Sequence, residues 1–245
     1  MPLTVPAHQA ALLPLKILWP SRVDGIALVM GSVAPDLAYA FMPALAFDAH
    51  GVFSTVYWSV PVAVLLSLVV RRFVLPTAGY LPDLGPLHLR DFAVSARVRH
   101  RLPVTALSAL VGAASHVAWD LFTHAGGLAR WMPVLLAPSP FGVPWFKALQ
   151  YGSGALGTAV TIWCFLHIGR HRLLRRWHGE PRCSPAGEAR TWWLLFAAIA
   201  ALLAVPAVLL AGGSHPHILM ARGIGGAILS AAAATLLTGV RGSGR

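Results

Sequence analysis

The chain has 245 residues, of which 57% are hydrophobic and 11% charged, and its mean hydropathy is +0.68. A soluble domain carries about 25% charged residues, so this composition excludes an ordinary soluble fold and predicts an integral membrane protein. The formal charge of +11 excludes nothing by itself, and its meaning depends on where the basic residues fall.

Met1 to Trp19 is too short to cross a hydrocarbon core, which takes roughly 20 helical residues. With Pro6 near its start and Pro20 after its end, it predicts a short interfacial or re-entrant helix. The first fifteen residues hold no basic residue and no clear small-residue cleavage site, so no secretory signal is expected. Six stretches are apolar enough to span: Val23 to Met42, Val52 to Val70, Pro103 to Thr123, Leu149 to Ile168, Thr191 to Ala211 and Leu219 to Val240. Pro35 and Asp36 interrupt the first. Pro76 to Pro86 reads as irregular loop and Leu87 to Arg101 as a basic surface helix. Gly126 to Lys147, with four prolines, predicts an external loop whose short helix lies on or dips into the membrane. The glycines of Ser153 to Gly157 and of Gly223 to Gly226 have spacings that suit close helix packing.

The expected fold is therefore all-α: a polytopic membrane helix bundle of about six transmembrane helices plus the short N-terminal helix. It is expected to form a single membrane domain over residues 1–245, with a core at 1–170, a basic cytoplasmic loop at 171–190 and two additional helices at 191–240.

Of the 19 Lys and Arg, 16 fall on one side of this topology: Lys16, Arg22, six between spans two and three, six between spans four and five, Arg241 and Arg245. Arg130, Lys147 and Arg222 fall on the other. The asymmetry predicts both termini in the cytoplasm. The basic loops lack a recognition motif with interleaved aromatics, so the expected partner is the lipid bilayer and not nucleic acid. The preference for Arg over Lys, 17 to 2, suggests a bacterial genome of high GC content. Cys164 lies in a span and Cys183 in a cytoplasmic loop, and neither has a partner at metal-ligand spacing.

His116 and Asp120 are the only ionisable groups in Pro103 to Thr123. A spacing of four puts them on one helix face, and an ionisable pair at membrane depth needs compensation. At 1.5 Å per residue, Asp36 comes about 21 Å above Arg22, His116 and Asp120 about 20 and 26 Å above Pro103, and His8 about 17 Å from Trp19. These depths converge on the outer half of the membrane. His50, in the short loop Pro43 to Gly51, closes the group from above, and His124 follows Asp120 by four residues. Asp36 and Asp120 would neutralise Zn²⁺ while His50 and His116 bind as neutral imidazoles, an N/O set that suits zinc over calcium or magnesium. His8 and His124 read as neighbouring polar groups ahead of ligands. His215 and His217 form a further histidine pair, read as solvated loop.

His8, Pro35-Asp36, His50 fourteen residues on, and Ser115-His116-x-x-x-Asp120 resemble the pattern of predicted membrane-bound metal-dependent hydrolases of bacteria. They are also similar to the shared zinc core of zinc-dependent phospholipases C. The His8-x-x-Ala11 start and the Lys147 to Gly152 stretch further resemble an uncharacterised bacterial polytopic membrane family over roughly residues 1–170. The phospholipases carry an additional His-x-x-x-Glu, and this chain has no such pair, its only Glu residues being Glu180 and Glu188. One metal is therefore expected. His50 is flanked by Ala49 and Gly51 where the related hydrolases have Thr and Ser.

The expected function is zinc-dependent hydrolysis of an ester or phosphoester on a lipid or lipid-linked substrate. Asp120 or Asp36 would orient water, and Lys147 or Arg130 would hold a phosphate. The alternative is a non-enzymatic scaffold or transporter with a structural polar or metal cluster. Spans two, five and six contain no Asp, Glu, Lys or His, which leaves the scaffold as the stronger form of that alternative.

Overall fold

A computed structural model describes residues 4–41, 48–181, 186–209 and 216–239. The described residues are overwhelmingly helical and contain no strand, only an isolated bridge between Pro138 and Pro144. The helices are α1 (Thr4–His8), α2 (Leu13–Leu18), α3 (Gly25–Leu37), α4 (Val52–Tyr80), α5 (Leu102–Thr123), α6 (Trp145–Arg170), α7 (Leu173–His178), α8 (Ala186–Leu209) and α9 (Pro216–Thr238).

Five of them, α4, α5, α6, α8 and α9, are long and apolar enough to cross a membrane. They expose large apolar side chains of the kind a bilayer covers, such as Leu65, Leu156, Leu202 and Leu236. The sixth expected span is shorter. Its apolar helix covers Gly25–Phe41, about 25 Å at 1.5 Å per residue. Pro35 does not break it: the α-helix continues to Leu37 and tightens into a 3₁₀ turn at Ala38–Phe41.

Proline shapes α4 instead. Thr55–Ser59 and Val70–Val74 are π turns, and each ends two residues before a proline, Pro61 and Pro76. A proline ring clashes with the carbonyl four residues back. Those carbonyls belong to Tyr57 and Arg72, the central residues of the two widened turns.

The chain divides into two compact units. The first takes Met1–Pro35, Asp48–Val64 and Leu102–Cys164, and the second takes Asp36–Phe47, Leu65–Arg101 and Phe165–Arg245. In the first unit, α3 and α5 meet backbone to backbone. A Cβ on Gly31 would run into the Ala109 carbonyl, and one on Gly112 into the Leu28 carbonyl and the Ser32 nitrogen. Ala27, Ala34, Ala63 and Ala109 form the buried core around this crossing, so small residues supply the packing. Asp24, fully buried, fixes the far end. Its Oδ1 accepts the Ile26 and Ala27 amides at 3.2 and 3.1 Å as the N-cap of α3, and its Oδ2 accepts the Thr105 hydroxyl of α5 at 2.8 Å. Lys16 is buried too, donating to the Pro20 and Val23 carbonyls at 2.5 and 2.9 Å.

The N-terminal segment packs on α3 and α6 of this unit. Gln9 accepts the Ser32 hydroxyl at 3.1 Å, Pro6 O accepts the Thr161 hydroxyl at 2.6 Å, and Ala7 sits where a Cβ on Gly157 would lie. The irregular Gln9–Ala11 turn between α1 and α2 is closed by its own backbone bond, from the Leu12 amide to the Gln9 carbonyl at 3.0 Å. The expected packing role of small residues holds at Gly157. It does not extend to Gly154, Gly223, Gly225 or Gly226, where a Cβ would meet nothing within 4 Å.

In the second unit, Trp192 and Tyr80 pack on Ala231 and Ala234, and Trp192 Nε1 donates to Thr235 at 3.1 Å. The expected surface helix over Leu87 to Arg101 is a 3₁₀ segment, Leu89–Ala96, with Asp91, Ala93, Val94 and Ala96 buried. Two arginines, Arg172 and Arg175, converge on Asp91.

The α3–α5 crossing generates a stability test. Gly112→Val inserts branched volume against backbone atoms that have no rotamer to change, and overpacking of this kind costs about 1–3 kcal/mol. Gly154→Val meets open space. Thermal unfolding of the purified protein should show a clear loss for Gly112→Val and nearly none for Gly154→Val; equal losses would contradict the crossing described.

Candidate metal centre

The site assembles where α5 ends and α4 and α6 begin. His116 and Asp120 lie on consecutive turns of α5, and His124 follows on the next turn of chain. His116 sits one turn beyond Gly112, and the close approach there lets its Nδ1 reach the Ser32 carbonyl at 2.7 Å. A carbonyl only accepts, so Nδ1 carries the proton and, in the neutral ring, Nε2 presents a lone pair.

That lone pair faces a carboxylate. His116 Nε2 lies 3.3 Å from Asp120 Oδ2. His50 Nε2 lies 3.5 Å from the same oxygen, and His8 Nε2 lies 3.8 Å from Asp120 Oδ1. The His8 and His116 rings stack at 4.1 Å, and the His50 ring stands 5.4 Å from that of His116. The His116 Nε2 lone pair and the Asp120 oxygen repel at 3.3 Å unless a proton or a cation lies between them, whereas His8 and His50 can meet the carboxylate either as Nε2–H donors or as ligands of a cation.

Each imidazole is delivered by local structure. His8 ends α1, and Gln9 beside it is held by Ser32. His50 is placed by a side-chain turn, its amide donating to Asp48 Oδ1 at 3.0 Å. Gly51 then caps α4, and its carbonyl accepts the Ser54 and Thr55 hydroxyls at 2.9 and 3.0 Å. His124 is engaged at both nitrogens. Gln150 of α6 approaches its Nε2 at 3.3 Å, which leaves the proton on Nδ1, directed at Thr123 Oγ1 (3.2 Å) and the Asp120 carbonyl (3.3 Å). Its Nδ1 is also 3.5 Å from Asp120 Oδ1.

Exposure grades across the cluster. The His116 and His8 side chains are 1% and 5% exposed and Asp120 12%, whereas His50 and His124 are 21% and 26% exposed. The cluster is closed on the His8 side and opens toward His50 and His124. Asp120 Oδ1 is buried and accepts no hydrogen bond among the described residues.

The donor set fits a small dication. Four ligands at the 2.0–2.2 Å typical of zinc stand about 3.3–3.6 Å apart in a tetrahedron, and the contacts from Asp120 to His116 and His50 are 3.3 and 3.5 Å. His8, His116 and Asp120 each offer a ligand atom within 4.8 Å of the others.

The remaining expected site residues fall as follows. Asp36 is buried on the last turn of α3, four residues after Ser32 and hence on the same helix face. Lys147 is exposed on the first turn of α6, one turn before Gln150, and makes no side-chain hydrogen bond or ion pair among the described residues. Arg130 is exposed, with its guanidinium 5.8 Å from the Trp131 ring centroid. It lies in a loop of two 3₁₀ turns, Leu128–Arg130 and Pro133–Leu135, that exposes Trp131 and Phe141. His215, the His217 side chain and Cys183 lie outside the described residues.

Sequence reasoning missed Ser32, Gln9, Gln150 and the Asp48 turn. Ser32 precedes Asp36 by four residues and Gln150 is a lone amide in an apolar helix, which are the signals available in the sequence.

Residues 1–240 match the family described as Domain of unknown function (DUF4184), and the chain belongs to that family. No curated protein and no solved structure matches the chain.

Proposed function

We propose that this protein is a membrane-embedded hydrolase with one zinc site, acting on an ester or phosphoester of a lipid or lipid-linked substrate. In this reading it sits in a bacterial cytoplasmic membrane, with α3 as a sixth span and both termini cytoplasmic. The observation that carries the proposal is the convergence of three imidazole Nε2 atoms on the Asp120 carboxylate, at 3.3, 3.5 and 3.8 Å. The membrane-length helices around it support a lipid environment.

His8, His50 and His116 would hold the metal through Nε2 and Asp120 through a carboxylate oxygen, and catalysis would need a fifth position or a displaced ligand on the open His50 side to admit water. Asp36 is the second carboxylate of the site, and with Asp120 it balances a 2+ charge. A zinc ion bound there supplies a Lewis acid and lowers the pKa of water toward about 7. Asp120 Oδ1, which accepts no hydrogen bond among the described residues, would take the proton of the attacking water, or Asp36 would. His124, locked by Gln150, holds the Asp120 end of α5 in place. Substrate enters on the open His50–His124 side, where the exposed Lys147 binds a phosphate as a point charge.

A structural zinc joining the same segments is the second reading, favoured by the near-complete burial of His8 and His116. A catalytic zinc keeps an open position whereas a structural one is closed by four protein ligands, so turnover separates the two.

Purified protein should retain about one zinc per chain, as a single tetrahedral site implies, and Asp120→Asn or His116→Ala should lose it. Zinc-loaded wild type should hydrolyse a member of a panel of phospholipids and polyprenyl phosphates. Asp120→Asn should be inactive, and Lys147→Ala should turn over more slowly with its zinc retained. Full zinc occupancy without activity on the panel would favour the structural reading, and absence of zinc from the wild type would sink both.

The topology has its own test. Reporter fusions after Arg72, Arg176 and Arg245 should report cytoplasm and a fusion at Asp48 should not. An external Arg176 would remove the six-span arrangement.

A further inference from the structure

The second unit contains another buried charge cluster, built from none of the residues of the candidate metal centre. Asp91, 3% exposed, accepts Arg175 Nε at 2.8 Å on Oδ1 and Arg172 Nη1 at 3.1 Å on Oδ2. Arg175 is pinned a second time, by Glu180 Oε2 at 2.5 Å. Arg90, the neighbour of Asp91, anchors its Nε on the Leu81 carbonyl at 2.9 Å. Around these side chains lies a cavity of about 130 Å³, lined by Arg90, Asp91, Arg172, Arg175 and Asp83 among others. At about 30 Å³ per water that is room for a group of roughly four waters' volume.

The backbone holds one of these arginines at some conformational cost. Arg172, between α6 and α7, has φ +51, in the left-handed region that side chains other than glycine rarely adopt. Such strain persists where the surroundings over-determine it, and here the contacts with Asp91 do so.

The polarity of the cavity follows from which groups are spent. Both Asp91 oxygens already accept guanidinium N–H groups, and the half-exposed Asp83 faces His88 Nδ1 at 3.4 Å. Arg172 has committed only Nη1 and Arg90 only Nε, so the other nitrogens of both guanidiniums remain as donors among the described residues. Arg90, Arg172 and Arg175 are balanced by Asp83, Asp91 and Glu180, so the capacity for an anion rests on the uncommitted Arg172 and Arg90 donors and not on net charge. A planar guanidinium fork matches the oxygens of a phosphate.

We propose that this cavity is a phosphate-binding site, with Arg172 and Arg90 as its donors and Asp91 as the residue that positions Arg172. The phosphate belongs either to an anionic phospholipid headgroup or to a free phosphomonoester. The headgroup source draws on location, since Arg172 follows directly on the membrane-length helix that ends at Arg170.

The test uses the full chain in detergent and in nanodiscs. Inorganic phosphate and a simple phosphomonoester are titrated onto detergent-solubilised protein by calorimetry. Retention of phosphatidylglycerol against phosphatidylcholine is measured by native mass spectrometry after nanodisc release. Arg90→Gln is the primary variant, because Arg90 is exposed and tied only to a carbonyl, so its removal leaves the Asp91 cluster intact. Arg172→Gln is the second variant, and Arg99→Gln, at another exposed arginine, controls for net charge. Loss of one charge-assisted hydrogen bond corresponds to about a tenfold weaker affinity. A tenfold loss in Arg90→Gln and in Arg172→Gln, absent in Arg99→Gln, supports the site. Loss in the calorimetric arm identifies a free phosphate ligand, and loss confined to phosphatidylglycerol retention identifies a headgroup. Binding equal in wild type and Arg90→Gln in both arms, or an equal loss in Arg99→Gln, overturns the proposal.

Discussion

A carboxylate set into an apolar helix of membrane length is stable only if something nearby answers its charge, and around Asp120 the answer comes from four histidines. Much of the first unit can be traced to this requirement. Gly31 and Gly112 allow α3 and α5 to touch, which brings the Ser32 carbonyl onto His116 and turns its Nε2 toward the carboxylate. The N-terminal segment is drawn in beside α3 and α6 so that His8 can stack on His116. The Asp48 turn presents His50 before α4 begins, and Gln150 of α6 secures His124. The polar groups at the far ends of α3 and α5, Asp24 with Thr105 and Ser108, do ordinary capping work and carry no histidine. The capping groups and the histidine cluster are thus kept at opposite ends of the α3–α5 pair.

The irregular elements follow from the same setting. Backbone that is not α-helical is tolerated at membrane depth only where protein satisfies it. The α1–α2 turn is closed by the Leu12 amide on the Gln9 carbonyl, with the Pro6 carbonyl before it taken by Thr161, and the π turns of α4 absorb Pro61 and Pro76 within a continuous helix. Irregularity that positions His8 therefore coexists with long apolar helices.

How much of this was legible in the sequence depends on the range of the interaction. The His116–Asp120 pair was visible because it is local: two ionisable residues at helical spacing in an apolar run admit few readings. The helical class and its long apolar elements were visible for the same reason. The helix register could not tell which residues complete the contacts. Ser32 acts through a carbonyl, which every residue has, and its selection depends on the Gly31–Gly112 crossing. The glycines that spacing singled out near Gly154 and Gly223 to Gly226 point into open space, because a small-residue spacing marks a surface that can pack and not a partner that does. Leu89–Ala96 read as a surface helix from its arginines, yet Asp91 turns inward because Arg172 and Arg175 arrive from more than eighty positions away. Likewise the first apolar stretch, set by hydropathy alone as a full span, forms a helix shorter than the other five.

The central claim is that a zinc ion answers the charge of Asp120 in company with histidine nitrogens. X-ray absorption at the zinc edge of the purified protein reads that coordination directly. The account expects nearest neighbours that are all nitrogen or oxygen at about 2.0–2.2 Å, with the outer scattering pattern of two or three imidazole rings that diminishes in His50→Ala. Sulfur neighbours at about 2.3 Å, or a spectrum with no imidazole scattering, would contradict it.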